Sequence, residues 1–118
     1  AANNPAPFPF EGAHDADAYY FLTQGQVRRL NRTGGSDALT FLSINAGNDP
    51  FFLHAEGDSL YWINRRGPSI GDVHTISKAG GAPFSKLAED VATDGLSVKD
   101  GVAYWISNDF TQIIGRRL

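Results

Sequence analysis

The stretch GDSLYWINRRGPSIGDVHTISKAGGAPFSKLA, residues 57–88, decides the fold, because the chain on either side of it echoes its pattern. Leu60, Tyr61, Trp62 and Ile63 make a short apolar run, and a run of that length rich in aromatic and branched side chains reads as a buried strand. After a loop, Val73, Thr75 and Ser77 alternate with His74, Ile76 and Lys78, the two-residue period of a second strand. Gly80-Gly81 supplies a turn, and a short last strand ends at Leu87-Ala88.

With Trp62 as marker, the equivalent aromatics are Tyr20 in DADAYYFL and Trp105 in DGVAYWIS, at intervals of 42 and 43 residues. Near-equal intervals define a repeat period. The companions keep step: VRRL at 27–30 and VHTI at 73–76 match GRRL at 115–118, and Gly34-Gly35 matches Gly80-Gly81. Hairpin turns rich in Asp and Gly fall at 14–17, 56–59 and 99–101, as tight turns require. One more short strand precedes each aromatic pair, at 7–12, 50–54 and 94–98, and on this alignment His54 corresponds to Gly12 and Ser97. The expected organisation is an extended arm at 1–6 and one repeat domain at 7–118. Its copies lie at about 7–43, 50–88 and 94–118, with polar connectors at 43–50 and 89–94. Four strands are expected in each of the first two copies and three in the last.

Composition excludes several classes. A chain of 118 residues that is 42% hydrophobic and 19% charged is one ordinary domain. A net charge of −3 argues against a nucleic-acid surface, which is usually basic. No apolar run approaches the roughly 20 residues of a membrane-spanning helix. The absence of cysteine removes disulfide, thiolate-zinc and thiol-redox readings. The opening AANNPAP, in a chain without methionine, resembles what leader cleavage leaves, so the expected location is secreted or periplasmic.

The candidates for chemistry are few. His14, His54 and His74 fall at three different repeat positions and are not expected to converge on a metal. Asp15 and Asp17 offer fewer oxygens than calcium needs. No catalytic residue, metal or cofactor is therefore expected. The loop at 64–71 is longer than its counterpart at 24–25 and carries Arg65 and Arg66 beside Gly67-Pro68. Such a pair can bind a carboxylate or phosphate, or stand simply solvated.

Copies of about 43 residues, with a Tyr-Trp pair in the second strand and a GGAPFSKLA-type tail, resemble the blades of YWTD-type β-propellers and related bacterial secreted repeat proteins. Tyr61-Trp62-Ile63-Asn64 and Tyr104-Trp105-Ile106-Ser107 carry the first two letters of that signature, and Tyr19-Tyr20-Phe21-Leu22 is looser. The acid of its fourth position is replaced by Asn64, Ser107 and Leu22. The resemblance spans about 7–118 and implies an all-β fold of four-stranded antiparallel blades, a little under three of them. Closed propellers have about four to eight blades, so a second copy of the chain or a partner chain is expected to complete the ring. The rival architecture is a β-trefoil or β-prism, three-repeat folds that would make a monomeric sugar binder.

In a propeller, the loops joining second to third strands and those joining successive blades share one rim. Here that rim would gather Asn45, Asn48, Asp49, Arg65, Arg66, Asp90, Asp94, Asn108 and Asp109. Mixed charges and amides suit a polar ligand, a glycan or a protein surface. The expected function is a non-catalytic ligand- or protein-binding and assembly module. A carbohydrate-binding lectin and a metal-dependent propeller lyase or hydrolase, with its site shared between chains, are the alternatives.

Overall fold

Short apolar runs punctuated by Gly, Asp and Asn leave no helical period, and no helix occurs among the described residues. These are residues 12–16, 18–23, 26–31, 39–45, 50–79 and 84–118 of a computed structural model of the chain. The fold is all-β. A first antiparallel sheet runs β1 (Gly12–His14), β2 (Ala18–Thr23), β3 (Gln26–Asn31), β4 (Leu39–Asn45) in sequence order. A second joins β5 (Pro50–Glu56), β6 (Ser59–Arg65), β7 (Ile70–Ser77), β8 (Ser85–Lys99), β9 (Val102–Ser107) and β10 (Ile113–Arg117), again each beside its chain neighbour. Tight turns make this meander possible: Asp100 and Gly101 both take positive φ, 54° and 80°, the paired left-handed geometry of a hairpin whose twist matches its strands.

The six-stranded sheet is curled. β6 and β7 lie between β5 and β8 in the sheet, yet β5 packs directly against β8. The ring of His54 lies 2.6 Å from the Leu96 carbonyl oxygen through Nε2, and the Gly101 amide donates to the Glu56 carboxylate at 2.7 Å. The bend lies inside β8, where the pairing slips between Val91 and Leu96 and Asp90 takes a φ of 59°. Extra residues at such slips kink a strand and raise its twist. The early half of β8 therefore pairs with β7 and the late half with β9.

Curling produces two cores and three stacked layers. In the first core Ala18, Tyr20 and Val27 of the first sheet meet Leu53, Leu60, Trp62 and Ile76. In the second, Tyr61, Ile63 and Val73, on the other face of the β5–β7 layer, meet Val91, Leu96, Val98, Ala103 and Trp105. Trp62 is wholly buried, so truncating it to alanine removes about 3–5 kcal/mol.

The structure corrects the sequence reading in four places. Tyr20 shares the first core with Trp62 as Tyr61 shares the second with Trp105. Tyr20 thus holds the place of Tyr61, not of Trp62, and Phe21 holds the place of Trp62. The pairing Leu22↔Val27 accordingly corresponds to Ile63↔Val73 and Ile106↔Ile113, which puts Ile113, not Gly115, opposite Val73 in the comparison. Tyr20 pairs with Ala13, Tyr61 with His54 and Tyr104 with Ser97, so the counterpart of His54 is Ala13 rather than Gly12. Finally, the connector expected at 89–94 is part of the 15-residue strand β8. The arm at 1–6, most of the strand expected at 7–12 and both Gly-Gly turns lie outside the described residues.

Candidate functional site

The β6–β7 hairpin brings its loop back over the early half of β8, because Arg65 pairs with Gly71 and Gly71 in turn with Val91. Gly71 is required at that crossing: a Cβ there would stand 2.5 Å from the Asn64 carbonyl oxygen. The loop closes on itself, with the Arg66 and Gly67 amides donating to the Ile70 carbonyl at 2.8 and 3.1 Å. This geometry aims Arg66 at two carboxylates. Its Nε donates to Asp72 Oδ2 at 2.9 Å and its Nη2 to Asp90 Oδ1.

Asp72 is the centre of the cluster. Its side chain is 2% exposed, it accepts the Asp90 amide at 3.2 Å, and Lys86 Nζ stands 3.5 Å away. Burial alone would raise its pKa. The hydrogen bonds from Arg66 and from the Asp90 amide, with the charges of Arg66 and Lys86, outweigh that and hold it below the ordinary carboxylate value. The same contacts raise Arg66, chiefly through the bond to Asp72. Lys86 also approaches Glu89 at 3.4 Å. Two cations facing three carboxylates leave this patch with a net negative charge, so Arg66 is a brace between β7 and β8 rather than a cation awaiting an anion.

The β9–β10 loop flanks the other side of the bend, with Ser107 paired to Val91. Asp109 organises it, accepting from Ser107 Oγ at 2.7 Å, from the Thr111 amide at 3.0 Å and from Thr111 Oγ1 at 2.6 Å. Those bonds hold the exposed Asp109 carboxyl below its ordinary pKa, the Thr111 hydroxyl contributing most. They also present Phe110, 52% exposed at a φ of 63°, a backbone region bulky side chains rarely occupy.

Of the residues expected on one rim, Arg66 and Asp90 are in contact, and Asp94, Asn108 and Asp109 are exposed near the β8 bend. Arg65 lines a shallow cleft of about 340 Å³ with Arg66, Gly67 and Pro68. Asn45 ends β4 opposite Gln26, while Asn48 and Asp49 lie outside the described residues. Sequence reasoning missed Asp72, Lys86 and Phe110. An aspartate directly after a glycine in an apolar strand, Gly71-Asp72-Val73, was the available signal.

The histidines do not gather. His54 is bound to Leu96, His14 lies tilted against Tyr19, and His74 is buried between Trp62 and Phe84, stacked on the latter at 4.3 Å. Neither ring nitrogen of His74 has a hydrogen-bond partner among the described residues. Burial depresses its pKa below the ordinary histidine value, with Asp72 opposing and Lys86 adding to the shift. Among the described residues no three His, Asp or Glu side chains form a metal-binding group. Comparison with protein-family models, curated proteins and solved structures finds no match to this chain.

Proposed function

We propose that the chain is a non-catalytic binding module built from propeller-type blades of the YWTD-like kind, completed by another chain, and that it presents the β6–β7 loop, the β8 bend and the β9–β10 loop to a polar ligand or protein surface. The observation that carries this reading is the direction of stacking. A Tyr-bearing face shares a core with a Trp-bearing face twice in the same order, Tyr20 with Trp62 and Tyr61 with Trp105. Successive blades of a propeller stack in this way, each offering one face to the next. A closed three-repeat trefoil or prism has no unmatched faces left over, which favours the propeller reading.

The recognition surface on this reading is the pair of loops flanking Asp90. Arg66 and Asp72 hold one loop, Asp109 holds the other, and Phe110 is the exposed aromatic between polar neighbours, a composition typical of an anchor in a protein interface. Loops positioned by a rigid scaffold are where binding usually resides.

Amide NMR of the labelled chain, titrated with a panel of oligosaccharides and with acidic and basic peptides, tests the assignment. The expected result is shifts concentrated at 65–70, 90–94 and 107–112, weakened at least tenfold in affinity by Phe110→Gly, which leaves the strands intact. Shifts concentrated elsewhere, or stoichiometric zinc or calcium in the purified protein, would overturn it, the metal in favour of a lyase or hydrolase.

A further inference from the structure

Three pairs of residues hold corresponding places on the Tyr-bearing faces, and their exposures differ. Tyr20 and Val27 are 2% and 0% exposed, and Tyr61 and Val73 are 7% and 0%, whereas Tyr104 and Ile113 are 45% and 77%. The first two faces are covered by a Trp-bearing face; the third is bare. With Gly95, Leu96 and Ile106 it lines an apolar cleft of about 320 Å³. Tyr104 lies flat on its sheet because Gly115 is opposite it, where a Cβ would come within 2.9 Å of the ring.

The opposite end of the stack carries a face of the other kind. Phe21 holds the place of Trp62, Tyr19 that of Leu60 and Leu30 that of Ile76. Leu60, Trp62 and Ile76 are all buried under the first sheet. Tyr19, 44% exposed, with Phe21, Leu30, His14 and Gly12, instead lines an apolar cleft of about 650 Å³. One end therefore bears a face of the accepting kind and the other a face of the inserting kind.

We propose that a second copy of this chain seats its Phe21-bearing face on the Tyr104 and Ile113 face of the first. The contact is heterologous, repeating between chains the two contacts already made within one, and a heterologous contact closes when its rotation completes a ring. Two copies would bring six layers, inside the range of about four to eight that closed propellers use. The occupant is a copy of this chain because the complementary surface is its own other end. The inference rests on the blade reading, although rim binding by an isolated chain can stand or fall independently.

Sedimentation equilibrium with paired variants tests it. The wild-type chain should reach twice its 12.8 kDa mass. Ile113→Lys closes the accepting face and Tyr19→Lys the inserting face; each alone should remain folded by circular dichroism and run as a monomer. Mixed over a concentration series they should form a one-to-one heterodimer, since the mixture still holds one intact face of each kind. If Tyr19→Lys fails to fold, His14→Lys, exposed on the same face, replaces it. A wild-type monomer, a variant that still dimerises alone, or a mixture that stays monomeric would each overturn the proposal. Loss of pairing with the rim shifts unchanged would sink this inference and leave the binding assignment standing.

Discussion

At Asp72 a carboxylate is kept charged inside the protein, while two residues along the same strand His74 is kept neutral. Their titrations should separate. Because the folded pKa of Asp72 is depressed, its contribution to stability is present above the unfolded value of about 4 and disappears as pH falls through the lower folded value. His74 is also depressed, but it is a base. Its unfolded form binds a proton from about pH 6.5 downward while the folded form resists, so stability declines below that pH until the folded ring also titrates. Urea unfolding across pH 3 to 8 should therefore show two separate losses. His74→Phe, which removes two nitrogens that have no hydrogen-bond partner among the described residues while keeping the ring stack, should abolish the upper one at little cost. Asp72→Asn should shrink the lower one, leaving the part that the likewise depressed Asp109 contributes, and cost about 1–3 kcal/mol at neutral pH, mostly through the buried bonds rather than the half-exposed guanidinium. Unchanged pH profiles would refute this account. Arg66 and Asp90 were both legible as rim candidates, 24 residues apart in the chain, but the buried Asp72 that joins them was not, because a single acid following a loop glycine carries no periodic signal.

Among the elements, β8 departs most from what its sequence suggests. Residues 89–94 read as a polar connector, yet Val91, Ala92 and Thr93 are consecutively buried. Strict alternation fails there because the strand changes partners, from β7 to β9, and turns its side chains toward a different neighbour. β6 was legible as an apolar run because both of its faces are covered, Leu60 and Trp62 in the first core and Tyr61 and Ile63 in the second, and β9 was legible because its burial alternates from Ala103 to Trp105 around the exposed Tyr104. Sequence also gave no sign of the crossing at Gly71, since a glycine in a strand has several readings. Gly71→Ala should cost about 1–3 kcal/mol, because the atom it meets is backbone and cannot swing away. Gly95→Ala, with no heavy atom within 4 Å of the added carbon, should stay within about 0.5 kcal/mol of wild type. Urea midpoints for the two variants check the contrast, and equal effects would mean that the crossing does not constrain the hairpin.

For the whole molecule, the all-β class was visible in periodicity and turn chemistry, while the order of stacking was not. Which face of a strand meets which layer is decided by a single-residue shift, and DADAYYFL can be laid against GDSLYWIN in two ways. The strand registers and the place of Tyr20 in one core with Trp62 choose between them. The same packing separates the molecule into parts with unequal backbone coupling. Among the described residues the first sheet has no ladder to the second; side chains tie the two, among them the Lys78 to Asp15 ion pair at 2.5 Å.

The layers beyond it share a strand. Because β8 is bonded to β7 along one half and to β9 along the other, neither layer can lose its outer ladder without disturbing its neighbour's. The six-stranded sheet should consequently open as one cooperative unit, whereas the first sheet can detach at lower free energy. Native-state hydrogen exchange would read this as one common opening energy for amides of β6 to β9 and a smaller one for β2 and β3. Distinct values on either side of Val91 would mean that the shared strand transmits nothing. A strand held in common makes two neighbouring layers stand or fall together.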